Sequence, residues 1–103
     1  MTSPYDELIT QWGIDRNILG PTGEGTKHAQ KEKTYEELCE LSDAIRSNDL
    51  ELARDAIGDI YVTLVMQAAL WDFTMDECIA QAWHQIKDRK GKMVNGVFVK
   101  EAV

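Results

Sequence analysis

A chain of 103 residues with net charge −7, a pI near 4.7 and 44% hydrophobic residues is long enough for one domain and too apolar to be disordered. Its acidity argues against nucleic acid or an anionic membrane surface as a partner. The longest uncharged run, Ile60 to Trp71, is too short to span a bilayer. The N-terminal MTSPYDELITQ lacks the basic-then-apolar pattern of a signal peptide. Cys39 and Cys78 form no CxxC or other metal-site spacing and are expected to be reduced thiols, in keeping with a cytoplasmic location.

Ser3-Pro4 opens a short helix: Ser3 is the N-cap, Pro4 the first helical residue, and Asp6 and Glu7 lie in the first turn. Gly13 is its expected end. Residues 14–25 read as a loop broken by Gly20, Pro21, Gly23 and Gly25. Within it Gly20-PTGE-Gly25-Thr26-Lys27 nearly matches a phosphate-binding P-loop. That motif needs Gly-Lys-Ser/Thr, and here the last two residues are inverted. It also needs a strand before it and a βαβ sheet around it, whereas the chain that follows is helical. The stretch is expected to be a flexible loop, or a mobile lid over a site, ending in Thr26 as the next N-cap.

The second helix is predicted over about Thr26 to Arg46, with Leu38, Leu41 and Ile45 as its apolar stripe. Glu37 and Glu40, spaced i, i+3, lie beside that stripe near Ala44. Glu36 and Asp43 point away as solvated charges, and so does Cys39. The polar break Ser47-Asn48-Asp49 folds the chain back as an αα-hairpin. The third helix, about Asp49 to Trp71, ends in IYVTLVMQAALW, which is apolar nearly all round and so predicted to be buried on every side, partly by another subunit. Ile57, Ile60 and Leu64 form one of its faces. Asp55 and Asp59, spaced i, i+4, lie opposite, in line with Val62 and Met66. Gly58 costs helix stability, which close packing or room for a ligand would explain.

Thr74-Met-Asp-Glu77 is a capping box opening a fourth helix that carries Ile79, Ala80, Ala82, Trp83 and Ile86 inward and ends near Arg89. Lys87, Arg89, Lys90 and Lys92 cluster around Gly91. Residues 87–92 are net +3, which leaves the rest of the chain at −10. Such a patch on an acidic protein fits an anionic ligand, or equally a set of cations at a helix C-terminus. Met93-Val94, Asn95-Gly96 and Val97-Phe98-Val99 read as a hairpin with a type I′ turn.

The αα-hairpin brings two acidic pairs toward one volume. Like charges converge at a cost unless a cation sits among them. A hard divalent ion with oxygen ligands, Mg²⁺ foremost, suits four carboxylates. Asp59, heading into apolar surface, most needs such a partner. Acids plus bases on a helical scaffold suit metal-assisted phosphate chemistry. His28 and His84 have no nucleophile arrangement around them and are expected to be surface or packing residues.

Glu37-Leu-Cys-Glu40 followed by Asp55-Ala-Ile-Gly-Asp59 resembles the paired acidic motif of the all-α, MazG-like nucleotide pyrophosphohydrolases. The tail IKDRKGKMVNGVFVKE, residues 86–101, is similar to that of small phage and bacterial members. The resemblance runs from about residue 26 to the C-terminus. It implies an antiparallel bundle of about four helices, completed by assembly into homodimers or homotetramers and tailed by a short β-hairpin. It implies Mg²⁺-dependent cleavage, with Mn²⁺ as a substitute, of a nucleoside triphosphate such as a dNTP into monophosphate and pyrophosphate. On it Glu37, Glu40 and Asp59 are catalytic and, with Asp55, metal ligands. Lys87, Arg89 and Lys90 are the phosphate-binding candidates. Trp12, His28 and Trp83 are aromatic possibilities for a base pocket, each more readily explained by packing. The sequence departs from the pattern at Ala56, where the family has glutamate, and Asp55 would stand in from one position earlier. The rival expectation is a non-catalytic, oligomeric helical interaction module.

Overall fold

Side-chain caps set all four helix starts. Ser3 Oγ accepts from the Tyr5 N–H (3.3 Å), Thr26 Oγ1 from Ala29 (3.0 Å), Asp49 Oδ1 from Leu52 (3.0 Å) and Thr74 Oγ1 from Glu77 (3.1 Å). Glu77 returns the bond by accepting from the Thr74 N–H (3.2 Å), closing the capping box. Each such cap stabilises its helix by about 1 kcal/mol. The computed structural model describes residues 3–102. It contains α1 (Pro4–Asp15), α2 (Lys27–Ser47), α3 (Leu50–Leu70), α4 (Met75–Ile86), β1 (Gly91–Val94) and β2 (Val97–Lys100). The fold is all-α with a two-stranded antiparallel tail.

α3 is the central element. α2 packs along one side of it and α1 along another. The α2–α3 link is only Asn48 and Asp49. Asn48 takes the left-handed conformation (φ 51°), and the Asp49 N–H returns to the Ala44 carbonyl (3.0 Å). Ala44 and Ala56 are both completely buried. Their small side chains allow a close helix approach. Farther along, the Thr34 hydroxyl donates to Thr63 Oγ1 (2.9 Å) and Gln67 Nε2 to the Lys27 carbonyl (2.9 Å), which fixes the register of the pair. The apolar core is Leu19, Val65 and Met66, flanked by Ile9, Ile18, Tyr61, Ala69, Leu70 and Met75. The buried Asp6 accepts from Tyr61 Oη (2.6 Å), tying α1 to α3. That bond, then burial, then the Asp6 and Asp76 charges push the Tyr61 phenol up to about 12.

Several sequence expectations are corrected. α1 runs through Gly13 to Asp15. Gly13 is not a stop but a point of close approach: a Cβ there would lie 2.6 Å from Met66 Sδ. The loop is pinned rather than free, with Gly25 N–H donating to Ile18 O (3.0 Å), Glu24 N–H to Asn17 O (2.8 Å), and Leu19 buried in the core. No strand precedes it among the described residues, and Lys27 Nζ lies 3.8 Å over the Trp71 ring, so nothing of a P-loop remains. Within one chain the apolar end of α3 is covered in part, with Thr63, Val65, Met66 and Ala68 buried and Leu64 exposed. α4 carries Ile79, Trp83 and Ile86 outward, with no fully buried residue, and ends at Ile86 rather than near Arg89. The hairpin is longer than predicted, pairing Gly91 with Lys100 through Val94 with Val97. Its turn has Asn95 (φ 49°) and Gly96 (φ 87°) left-handed, as a type I′ turn requires.

Two glycines give opposite expectations. Gly13→Ala forces Met66 aside in a packed core and should lower stability by about 1–3 kcal/mol. Gly58 lies in α3 with nothing within 4 Å of an added Cβ, so Gly58→Ala should raise stability by about 0.5–1 kcal/mol. Urea unfolding of both variants measures this. The raised Tyr61 pKa means its bond stabilises the fold fully below the ordinary value of 10 and is lost as pH rises through 12. Tyr61→Phe should therefore flatten the stability profile across that window.

Candidate metal centre

The hairpin geometry brings three acids together. Ligand oxygens of Glu37 and Glu40 on α2 and Asp59 on α3 all lie within 4.8 Å of one another. Glu37 and Asp59 are half-buried at the helix seam and Glu40 is exposed at its edge. Asp55, one turn before Asp59 on α3, stands outside this set. It is exposed, and its charge acts on Asp59. Glu36 and Asp43 face solvent, Glu36 with Lys33 (3.6 Å) and Asp43 with Arg46, as their sequence positions indicated. Such exposed pairs contribute little to stability.

The electrostatics are those of a site missing a positive charge. Burial first, then proton sharing with Glu40, then the charges of Glu40 and Asp59 raise the Glu37 carboxyl above its ordinary value. Burial first, then the charge and hydrogen bond of Asp55, then Glu40 raise Asp59. The one cation that acts against both shifts is Lys33, one turn before Glu37 on α2. Most telling, Glu37 Oε2 is buried with no hydrogen-bond partner. Leaving such an oxygen unsatisfied costs about 1–3 kcal/mol, more when it is charged. A divalent cation among Glu37, Glu40 and Asp59 satisfies that oxygen and relieves the repulsion together.

Sequence reasoning missed Lys33; its i−4 spacing from Glu37 was the available signal. Lys87, Arg89 and Lys90 are exposed at the far end of α4, and none of them acts on Glu37 or Asp59. Ala56, where the family pattern calls for glutamate, is fully buried in the α2–α3 seam. Of the aromatic candidates, Trp12 lies beneath the Arg16 guanidinium (4.9 Å) and Trp83 on the outer face of α4. His28 lines an open groove of about 640 Å³ with Tyr35, Leu38, Leu64 and Trp71. Cys39 and Cys78 are free thiols.

The acid cluster sits on an antiparallel helix pair of an all-α fold and could hold a metal ion. Residues 25–94 match the sequence model of the MazG nucleotide pyrophosphohydrolase domain. That span covers more than half of the chain, and the chain belongs to this family. Its reaction class is therefore hydrolysis of a nucleotide's phosphoanhydride, and nucleotide is its substrate. No curated protein and no solved structure matches the chain. No helix among the described residues is long and apolar enough to cross a membrane.

Mg²⁺ or Mn²⁺ should raise the melting temperature, by the equivalent of about 2.7 kcal/mol at one hundred times its Kd. Glu37→Gln should abolish the shift. Because Glu37 and Asp59 are raised from 4.5 and 3.8, folding without metal is favoured at pH below those values and loses that advantage as pH rises through the folded ones. The metal-induced shift should grow across the same rise, since the cation displaces those protons. Differential scanning calorimetry over a pH series measures both.

Proposed function

We propose that the chain hydrolyses nucleoside triphosphates, dNTPs foremost, to the monophosphate and pyrophosphate with Mg²⁺, for which Mn²⁺ substitutes. The observation that carries this reading is the orphaned, buried Glu37 oxygen within a three-carboxylate cluster of a MazG chain. Glu37, Glu40 and Asp59 hold the cation, with Asp55 at the border of the cluster. The bound ion supplies Lewis-acid neutralisation of the phosphate oxygens. The protein's own groups do the rest. Asp55, whose charge helps raise the Asp59 carboxyl, adds to the negative field that draws the cation in. Glu40, the most exposed of the three, uses the oxygen not engaged to the cation to orient a water and take its proton. Lys33 faces the phosphate that approaches the cluster, and Lys87, Arg89 and Lys90 bind the outer phosphates. The place of action is the cytoplasm of a bacterial cell, on free nucleotide.

Assembly into a homodimer or homotetramer belongs to this reading. Leu38 and Ile45 on α2, and Ile57 and Leu64 on α3 with Trp71 just past its end, repeat every seven residues and are all exposed. Stripes with that spacing pack helix on helix. A second reading, a non-catalytic helical interaction module, draws on the same exposed stripes and on Ala56 in place of glutamate. It predicts a stable oligomer that neither binds Mg²⁺ nor turns over nucleotide.

Pyrophosphate release from a panel of canonical and modified dNTPs with Mg²⁺ tests the proposal. Glu40→Gln and Asp59→Asn should each lower kcat by about 10²–10⁴-fold. Unchanged turnover in both variants would remove the site assignment. Lys33→Met should lower kcat/KM about tenfold through the lost phosphate contact. The same change should tighten Mg²⁺ binding without nucleotide, because Lys33 repels the ion. Weaker Mg²⁺ binding in that variant would contradict its placement.

A further inference from the structure

A cavity of about 400 Å³ opens between α1, α3 and the start of α4, and it shares no residue with the acid cluster of the helix seam. α1 lies outside the residues matched by the family model, so one wall comes from a helix that the matched domain does not include. The polar lining carries three carboxylates, Asp6, Glu7 and Asp76, and no basic side chain. Val65, Ala69 and Phe73 give the cavity an apolar wall. Asp6 is only 8% exposed. Its Oδ1 accepts from Tyr61, while among the described residues its Oδ2 accepts no hydrogen bond and pairs with no cation. The Tyr61 phenol, raised by that bond, by burial and then by the charges of Asp6 and Asp76, registers the negative field there.

First-turn positions in α1 and α4 suit all three acids, because carboxylates there complement the helix dipoles. An exposed carboxylate would serve that purpose equally. Burying Asp6 with one oxygen unbonded has a cost that a cation in the cavity offsets. A single metal ion does not fit: among the described residues only Glu37, Glu40 and Asp59 lie close enough together to share one. Acids spread around an apolar wall match a ligand whose charges are spread along an aliphatic chain. We propose that this cavity is a second ligand site, for a linear alkyl polyamine whose ammonium groups pair with Asp6, Glu7 and Asp76 while its methylenes lie along Val65, Ala69 and Phe73. The Phe73 ring adds a cation–π contact, and the volume is that of a small-molecule site. The bound chain joins α1 to α3 and α4. The inference does not rest on the hydrolase reading.

Calorimetric titration of the full chain with spermidine tests it, at an ionic strength of about 0.15 M, where long-range attraction to a net charge of −7 is screened. The expected result is saturable binding of one spermidine per chain and a raised melting temperature, both undiminished by saturating Mg²⁺, which goes to the other acids. Asp6→Asn keeps an oxygen for the Tyr61 bond and should weaken binding about tenfold or more. Glu7→Gln and Asp76→Asn, at exposed positions where the fold tolerates change, should each weaken it about two- to fivefold. Glu51→Gln, an exposed acid paired with Arg54 and not lining the cavity, should leave it unchanged. Methylamine, which has the charge without the chain, should bind at least about tenfold more weakly. Absence of saturable binding, displacement of spermidine by Mg²⁺, or the same affinity in the wild type, Asp6→Asn and Glu7→Gln would overturn the proposal. Equal weakening by Glu51→Gln would overturn it too, by tracing the attraction to net charge alone.

Discussion

An uncompensated negative charge at the α2–α3 seam is the constraint on which the rest of the structure depends. Glu37 and Asp59 are drawn half out of water beside each other, with Glu40 and Asp55 at the border. Burial and mutual repulsion raise the carboxyls of Glu37 and Asp59, and one Glu37 oxygen has no partner. A structure optimised only for stability would have replaced such a group with an apolar one. A buried acid held at such a local cost marks a candidate functional site, where binding offsets the cost.

The fold exists around that seam. The two-residue link Asn48-Asp49 sets the register of two long helices, and the buried alanines Ala44 and Ala56 bring them close. The Thr34–Thr63 bond and the Gln67 clasp on Lys27 hold the other end. With both ends fixed, the helix pair brings Glu37 and Glu40 to within 4.8 Å of Asp59. Ala56, where the family pattern has glutamate, is completely buried, and Asp55 beside it is exposed. α1 and its pinned loop then brace α3 from behind, through the Met66 core and the Asp6–Tyr61 bond.

Much of this was legible in the residues. Caps are local chemistry, and Ser3, Thr26, Asp49 and Thr74 each start the helix they mark. The Asn95-Gly96 turn is equally local. The i, i+3 and i, i+4 acid spacings survive folding because a helix carries its faces rigidly. What was not legible depended on partners distant in the sequence. Gly13 looked like a stop because its neighbour, Met66, lies on another helix. The glycine-rich loop looked free because its anchors are backbone carbonyls at 17 and 18, which no side-chain pattern reveals. The outward face of α4 reads as a core stripe because periodicity reports that a face is apolar, not which chain covers it. Lys33 went unnoticed among the alternating charges of KHAQKEKTYEE, where only the position of Asp59 in space singles it out.

Stability and chemistry meet in one claim, that a cation joins the acids of the α2–α3 seam to a nucleotide. Calorimetric titration with a non-hydrolysable dNTP, with and without Mg²⁺, on the wild type and on Glu37→Gln, tests it most directly. The account predicts saturable binding to the wild type in the presence of Mg²⁺ only, and binding lost in Glu37→Gln. Equal nucleotide affinity without the metal, or in the variant, would contradict it.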